Sequence, residues 1–224
     1  MKRLLIANWK QNKTVEEADL WMDKFLTRIQ QTQNTSVEVV ISASDVLLYP
    51  INKKLTSISL ATQDISKYSS GAHTGETGAF QVKKLVSYGI IGHSERREFA
   101  ETPHDIILKV QNLNAVGITP IICFDGYEWF SDIKRGLDPN TLQKAIFAYE
   151  PASAISSAVN STGIASIDDV KEMFERTELE SMIYGGSVDS STVKDYLKLN
   201  FISGFLVGSA SLDVDKFLSL YKVL

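Results

Sequence analysis

Short apolar segments alternate with amphipathic segments along the whole chain, and this alternation predicts the fold class. The segments predicted to be strands are residues 4–9, 37–42, 58–63, 89–93, 118–124, 145–150, 181–185 and 204–208. They are apolar almost throughout, which is typical of parallel strands that are covered on both faces. Eight repeats of strand and helix predict a closed (β/α)8 barrel of the α/β class, as one domain over residues 1–224.

Helix-start signals lie between the predicted strands. Thr14 is followed three residues later by Glu17, which is the spacing of a capping box. Thr102 precedes a proline, and proline favours the first position of a helix. Asp213 is a suitable cap for a last helix that runs to the end of the sequence.

An open doubly wound sheet is the main alternative to the barrel. Such a sheet usually carries a glycine-rich nucleotide-binding turn after its first strand. Here the tripeptide Asn8-Trp9-Lys10 occupies that place. The sequence therefore favours the barrel.

Composition and charge narrow the classes of function. The 224 residues are 44% apolar, and 23 Lys and Arg against 27 Asp and Glu give a net charge of −4. This balance argues against a nucleic-acid-binding surface, which needs a clustered basic excess. The single cysteine, Cys123, cannot form an intramolecular disulfide and fits a reducing compartment. The apolar run at residues 4–7 is too short for a signal peptide or a membrane span, so we expect a soluble, cytoplasmic protein with no membrane partner.

Four polar residues lie at or just beyond the ends of predicted strands, at the barrel end where active sites occur. Lys10 would supply a positive charge for an anion, although on this feature alone a surface lysine is the favoured explanation. His93 would polarise a carbonyl or shuttle a proton, or else form a structural hydrogen bond. Glu95 is near enough to Lys10 to pair with it in a closed barrel. Glu150 follows an apolar run, and burial should raise its pKa toward the range of a general base.

Two glycine-containing loops predict a phosphate site after the last two strands. They are Gly185-Gly186-Ser187 and Gly208-Ser209, where backbone N–H groups can approach an anion. A run rich in Ser and Ala at residues 152–163 is long enough to be a lid. Arg96, Arg97 and Glu98 are expected to form solvated ion pairs. The sequence shows no metal or cofactor motif. A lysine, a histidine and a carboxylate base beside a phosphate site suit proton abstraction next to the carbonyl of a small phosphorylated sugar.

Six motifs in order resemble the triosephosphate isomerase family and extend from residue 8 to about residue 212. They are Asn8-Trp9-Lys10, Gly71-Ala72-His73-Thr74-Gly75-Glu76, Gly92-His93-Ser94-Glu95-Arg96-Arg97, Ala148-Tyr149-Glu150-Pro151, Tyr184-Gly185-Gly186-Ser187-Val188 and Gly204-Phe205-Leu206-Val207-Gly208. The resemblance implies the TIM-barrel fold. It also implies interconversion of D-glyceraldehyde 3-phosphate and dihydroxyacetone phosphate through an enediolate, in glycolysis and gluconeogenesis, without cofactor or metal.

The resemblance implies a role for each matching residue. Glu150 would be the base that moves a proton between two substrate carbons, and His93 the neutral electrophile at the carbonyl. Lys10 would offset the negative charge of the phosphate and enediolate, Asn8 would orient the substrate, and Glu95 would support Lys10. The groups that would hold the phosphate belong to Ser156, Ser187, Gly208 and Ser209.

The resemblance further implies a homodimer. In this family the loop that runs here from Gly71 to Glu76 inserts into a second subunit. Thr74 would reach toward Asn8 and Lys10 of that subunit.

The sequence departs from the family most clearly at the lid. The family lid follows its base with Pro-Val-Trp-Ala-Ile-Gly-Thr-Gly, whereas this chain has Ser153 for the tryptophan and Ser156 and Ala158 for the two glycines. The Gly-Glu that usually follows the fifth strand is replaced by Asp125-Gly126 after Phe124. The chain is also shorter than the family's usual length of about 250 residues. We expect a looser lid and more methylglyoxal by-product.

Two other functions stay open on sequence alone. One is a different phosphate-binding barrel that acts on another small sugar phosphate, which would need a different base. The other is a non-catalytic homologue that serves as a binding or scaffold protein. Substrate turnover distinguishes all three.

Overall fold

Eight parallel strands close into a barrel in the computed structural model, which describes residues 2–32, 34–55, 57–151 and 165–224. The strands are β1 (Arg3–Asn8), β2 (Val37–Ala43), β3 (Ser59–Thr62), β4 (Tyr88–Ile91), β5 (Thr119–Phe124), β6 (Ile146–Tyr149), β7 (Met182–Tyr184) and β8 (Ile202–Val207). Each strand pairs with the next in chain order, and β8 pairs with β1. The predicted (β/α)8 barrel is confirmed.

Helices connect the strands in the described parts of the chain. They are α1 (Val15–Ile29), α2 (Asp45–Asn52), α3 (Ala79–Val82), α4 (Ser94–Arg97), α5 (Pro103–Ala115), α6 (Tyr127–Arg135), α7 (Pro139–Lys144), α8 (Ile167–Thr177), α9 (Val193–Tyr196), α10 (Val214–Val223) and a 3-10 helix at Ser209–Leu212. Among these described helices, none is both long and apolar enough to cross a membrane.

The predicted helix caps are present. The Glu17 N–H donates to Thr14 Oγ1 at 3.2 Å, and the Thr14 N–H donates to Glu17 Oε2 at 2.8 Å. Thr102 caps α5 in the same reciprocal way. The Asp213 carboxylate accepts two backbone N–H bonds at the start of α10.

Apolar side chains cover both faces of the barrel strands. The barrel interior holds Ile6, Val40, Ala61, Ile90, Ile121, Cys123, Ala148, Ile183 and Leu206, which are all buried. A larger cluster lies between the strands and the surrounding helices, where Trp9 of the β1 loop contacts Trp21 of α1. This double coverage explains why the strand sequences do not alternate between apolar and polar residues.

The polar residues of interest lie where the strands end. Asn8 is the last residue of β1, and its side chain is buried. His93 follows β4 and Glu150 follows β6, whereas the sequence predicts both as the last residues of their strands. Stopping the strands earlier leaves these two side chains on connecting segments at one end of the barrel.

Candidate active site

A cavity of about 640 Å³ opens at the carboxyl ends of the strands. Of the residues predicted to act on substrate, those that line it are Asn8, Lys10, His93, Glu150, Ser187, Gly208 and Ser209. Glu95 is not among the lining residues, but it pairs with Lys10, which is. Ser153, Ser156 and Ala158 lie outside the described residues. The barrel thus brings the catalytic candidates and the predicted phosphate loops into one cavity.

His93 is held in a single tautomer by the start of α4. Its Nδ1 accepts the backbone N–H of Glu95 at 3.2 Å, so the imidazole proton is on Nε2. The Nε2 atom lies 3.2 Å from Oε1 of Glu150. The side chains of His93 and Glu150 are only 7% and 3% exposed, so this contact is shielded from water.

The expectation that the pKa of Glu150 is raised is wrong. Burial does act in that direction, but His93 above all, with Cys123 and Lys10, stabilises the carboxylate and leaves the pKa of Glu150 below its ordinary value. Burial likewise opposes charge on His93, yet the Glu150 carboxylate outweighs it and raises the pKa of the imidazole. Glu150 is therefore ionised and able to accept a proton at neutral pH.

Lys10 is fixed at the mouth of the barrel by its side chain and its backbone. Its Nζ lies 2.7 Å from Oε1 of Glu95, which confirms the predicted pair. The Lys10 backbone has φ of +53°, a conformation that costs about 1–3 kcal/mol in a residue other than glycine. The Asn8 side chain accepts the Lys10 N–H at 3.1 Å, and Gln63 Nε2 donates to the Lys10 carbonyl at 3.0 Å.

Gln63 was missed by the sequence analysis. It follows β3 directly, and besides Lys10 it donates to the carbonyl of Ser42 at 3.1 Å. A polar residue just after an apolar strand was a usable signal, since the same signal identified Lys10 and Glu150. Gln63 links the ends of the first three strands and supports the strained backbone of Lys10.

The two adjacent glycines after β7 make room for side chains. A Cβ on Gly185 would lie 2.6 Å from Cγ of Glu150, and a Cβ on Gly186 would lie 2.1 Å from the Tyr184 hydroxyl. The sequence analysis assigned both glycines to close backbone approach by a phosphate. The structure adds that Gly185 sets the position of Glu150 and Gly186 that of Tyr184.

The expected solvated ion-pair network at Arg96 and Arg97 is only half present. Arg96 is exposed and lies 2.9 Å from Asp64. Arg97 is mostly buried, with a side chain that is 11% exposed and 2.7 Å from Asp125. Trp129 of α6 covers the Arg97 guanidinium, 4.9 Å from the ring centre, which explains the burial. Asp125, which follows β5, is thus paired with Arg97.

The loop from Gly71 to Glu76 is exposed along its whole length, Thr74 included. It is nevertheless ordered by its own contacts. Gly71 and Gly75 adopt φ of +115° and +92°, and the His73 ring stacks on Tyr68 at 3.7 Å. The loop lies apart from the cavity that contains Glu150.

Comparison with known proteins agrees with this geometry. The family model for triosephosphate isomerase matches residues 3–224. Triosephosphate isomerase of Mesomycoplasma hyopneumoniae (strain 232) is 34% identical, with 97% of each chain covered. The enzyme of Endomicrobium trichonymphae is 33% identical over 99% of this chain and 98% of the relative. That of Streptococcus pyogenes serotype M2 is 30% identical over 100% and 98%. The chain belongs to the triosephosphate isomerase family.

Proposed function

We propose that Glu150, His93 and Lys10 carry out the isomerase reaction of this chain, the glycolytic interconversion of D-glyceraldehyde 3-phosphate and dihydroxyacetone phosphate. The observation that carries these assignments is the buried contact of 3.2 Å between His93 Nε2 and Glu150 Oε1. It puts an ionised carboxylate beside the Nε2–H group of His93 at the wall of the cavity. Moving a proton between a carbonyl carbon and its neighbour requires one group that accepts the proton and one that donates a hydrogen bond to the oxygen. Glu150 and His93 supply both groups.

The proton moves between adjacent carbons in two steps. In the first step, Glu150 removes a proton from the carbon next to the carbonyl, while the carbonyl oxygen accepts a hydrogen bond from His93 Nε2 and becomes part of an enediolate. In the second step, the protonated Glu150 returns the proton to the other carbon. The substrate hydroxyl proton passes through His93 Nε2 to the former carbonyl oxygen, which becomes the new hydroxyl, and the oxygen that lost this proton becomes the new carbonyl. The electron pair of the broken C–H bond is recovered in the new C–H bond, so no redox cofactor is needed.

Lys10 supplies the fixed positive charge that offsets the enediolate and the phosphate. Its pairing with Glu95 and the bond from its N–H to the Asn8 side chain hold it in place. A Cβ on Gly208 would lie 3.7 Å from Cε of Lys10, so the Lys10 side chain runs alongside the β8 loop. The Lys10 ammonium can therefore offset the negative charge at both ends of a triose phosphate, that of the enediolate and that of the phosphate. The Asn8 side chain orients the substrate from the same wall.

The phosphate is held by the loops after β7 and β8. Ser187 and Ser209 line the cavity next to Gly208, where a backbone without a large side chain permits close approach. Ser156 is assigned to the same group from the family resemblance. This end of the cavity selects for a phosphorylated substrate.

The proposed assembly is a homodimer of single-domain chains in the cytoplasm. Support comes from the loop from Gly71 to Glu76, which is ordered by internal contacts yet exposed. Tyr68, Phe80 and Phe99 lie next to the two surface clefts flanking this loop and are 43%, 47% and 77% exposed. Such a concentration of exposed aromatic rings is typical of an interface. Thr74 would then contact Asn8 and Lys10 of the second subunit.

Turnover in deuterated water tests the proposed roles. The parent should convert glyceraldehyde 3-phosphate to dihydroxyacetone phosphate and introduce solvent deuterium at the carbon that receives the proton. Aldose phosphates of four and five carbons serve as control substrates and should react far more slowly. Equal rates on the longer substrates would favour the second hypothesis, a barrel for another sugar phosphate.

A further inference from the structure

Lys13, which does not line the cavity, connects the loop after β1 to the segment after β8. Its Nζ donates to the carbonyl of Leu212 at 3.0 Å and lies 5.2 Å from the centre of the Trp9 ring. Leu212 is the last residue of the 3-10 helix that follows β8, and Trp9 directly precedes Lys10 in the chain. One ammonium group thus contacts both segments.

The strands alone do not hold these two segments at a fixed distance. The pairing of β1 with β8 ends at Ala7 and Val207. Lys10, which we assign to the negative charge of the substrate, and Gly208, which we assign to the phosphate, come after the last paired residues. Their separation therefore depends on contacts beyond the paired strands, and Lys13 supplies such a contact.

The 3-10 helix after β8 transmits this contact to the phosphate end of the cavity. The carbonyl of Gly208 accepts the N–H of Ser211 at 2.8 Å and the Ser211 hydroxyl at 2.6 Å, and Ser211 is buried. Ser209, which we also assign to the phosphate, is the first residue of this helix. A carbonyl at the end of a helix has no partner within the helix, so the Leu212 carbonyl is available to the Lys13 ammonium. Holding Leu212 in place therefore holds Ser209 in place.

The loop after β1 is fixed on the other side of this contact. Trp9 is fully buried, and its ring packs edge-on against Trp21 at 5.0 Å. The Trp9 carbonyl accepts a hydrogen bond from Asn12 Nδ2 at 2.7 Å, which closes the loop around Lys10. Lys13 itself has φ of +71°, a conformation that residues other than glycine seldom adopt. Such a backbone persists where the surrounding contacts determine it.

The ammonium group of Lys13 is partly withdrawn from water. Burial lowers the pKa of Lys13, and this effect exceeds the opposing attraction of Glu17 and Asp213. Loss of water strengthens a hydrogen bond and the attraction of a cation to an aromatic face. The two contacts of Lys13 therefore stabilise the loops more than those of a fully exposed lysine would.

We propose that Lys13 is a positioning residue for the isomerase reaction, which holds the phosphate-binding segment after β8 at a set distance from Lys10. This inference rests on the proposed function. Lys13 belongs to none of the motifs that indicate the family. Its loss should weaken the binding of phosphate and of phosphorylated substrate. The proton-transfer step should be nearly unaffected, because Glu150 and His93 are held by other contacts.

The test is Lys13→Met, which keeps a long side chain and removes the charge and the hydrogen-bond donor. We expect the KM for glyceraldehyde 3-phosphate and the competitive inhibition constant of inorganic phosphate to rise together about 5- to 10-fold, as one lost hydrogen bond predicts. The change in kcat should be at most about twofold, because the lost contact affects the ground state and the transition state alike. Lys13→Arg keeps a donor and a cation for the Trp9 ring, and both constants should return to near their parental values.

Lys134→Met is the matched control. The Nζ of Lys134 also donates to a backbone carbonyl, that of Thr177 at 3.1 Å, and lies 5.7 Å from the centre of the Phe130 ring. Like Lys13, it has a carboxylate neighbour, Glu178 at 3.2 Å. This contact joins the carboxyl ends of α6 and α8, which lie at the end of the barrel opposite to the cavity. We expect Lys134→Met to lower Tm and to leave the KM and the phosphate inhibition constant unchanged.

Circular dichroism shows whether each variant is folded. If Lys13→Met does not fold, Lys13→Gly takes its place, because glycine adopts φ of +71° without strain. The same rise in both constants is expected of Lys13→Gly.

The failure of this inference is distinguishable from the failure of the proposed function. If the parent is active and loss of the Lys13 side chain changes neither constant, changes kcat alone, or has no more effect than Lys134→Met, then Lys13 is merely structural and this inference is overturned. If the folded parent does not isomerise triose phosphates at all, the proposed function fails and this inference fails with it.

Discussion

The imidazole of His93 and the carboxylate of Glu150 contact each other at 3.2 Å, and this contact determines the charge of the base. Burial would otherwise favour a protonated Glu150. The contact reverses that effect and keeps the pKa of Glu150 below its ordinary value of 4.5. In the proposed mechanism, His93 would both donate to the substrate carbonyl and keep the base ionised.

Replacing His93 should change both the rate and its pH dependence. In His93→Asn the shorter side chain no longer reaches Glu150, and we expect kcat to fall about 10²- to 10⁴-fold. The pKa of Glu150 should rise because its main stabilising partner is gone. The acid limb of kcat/KM, which reports the free enzyme, should therefore move to higher pH. His104→Asn, on the exposed face of α5, is the control, and an acid limb that stays in place would contradict this account.

The glycine next to the base should not tolerate a methyl group. Gly185→Ala would place a Cβ 2.6 Å from Cγ of Glu150, so the carboxylate must shift. A shift of about 1 Å can lower kcat about 10²-fold. In Gly126→Ala the nearest atom would be 4.0 Å away, and this control should retain parental kcat. The measurement is steady-state kinetics of both variants, with circular dichroism to check that both are folded.

Gln63 should matter although it does not line the cavity. In Gln63→Ala the Lys10 carbonyl loses its side-chain donor, and the strained φ of Lys10 loses support. We expect kcat/KM to fall about tenfold, because the hydrogen bonds to the Lys10 and Ser42 carbonyls are lost and the cation is displaced. Gln81→Ala removes a bond to the Gly78 N–H away from the site and should leave kcat/KM unchanged. If the two variants had the same kcat/KM, Gln63 would have no role in the reaction.

The exposed loop should govern the oligomeric state. Thr74→Arg places a bulky charge at the proposed interface and should shift the protein from dimer to monomer in light scattering at micromolar concentration. Activity should fall together with the dimer. Thr27→Arg, at an exposed position on α1, should leave both unchanged. A monomeric parent would rule out the proposed dimer.

The sequence predicts which polar residues lie near the strand ends better than it predicts the contacts among them. The barrel, the Lys10–Glu95 pair and the position of the glycine-containing loops after β7 and β8 at the cavity follow from apolar runs and from the residues that end them. The direction of the Glu150 pKa does not follow, because His93 and Glu150 meet only when the barrel closes. Burial of Arg97 depends in the same way on Trp129, which comes from another connection. Such contacts depend on the distances between separate segments, which periodicity does not contain.

The most direct test of the central claim is the rate of Glu150→Gln with glyceraldehyde 3-phosphate in deuterated water. Gln has nearly the same shape as Glu but cannot accept the substrate proton. We expect isomerisation and deuterium incorporation to fall together by at least about 10³-fold, and the exposed control Glu175→Gln to match the parent. An active Glu150→Gln that still incorporates deuterium would contradict the account, because another group would then be the base.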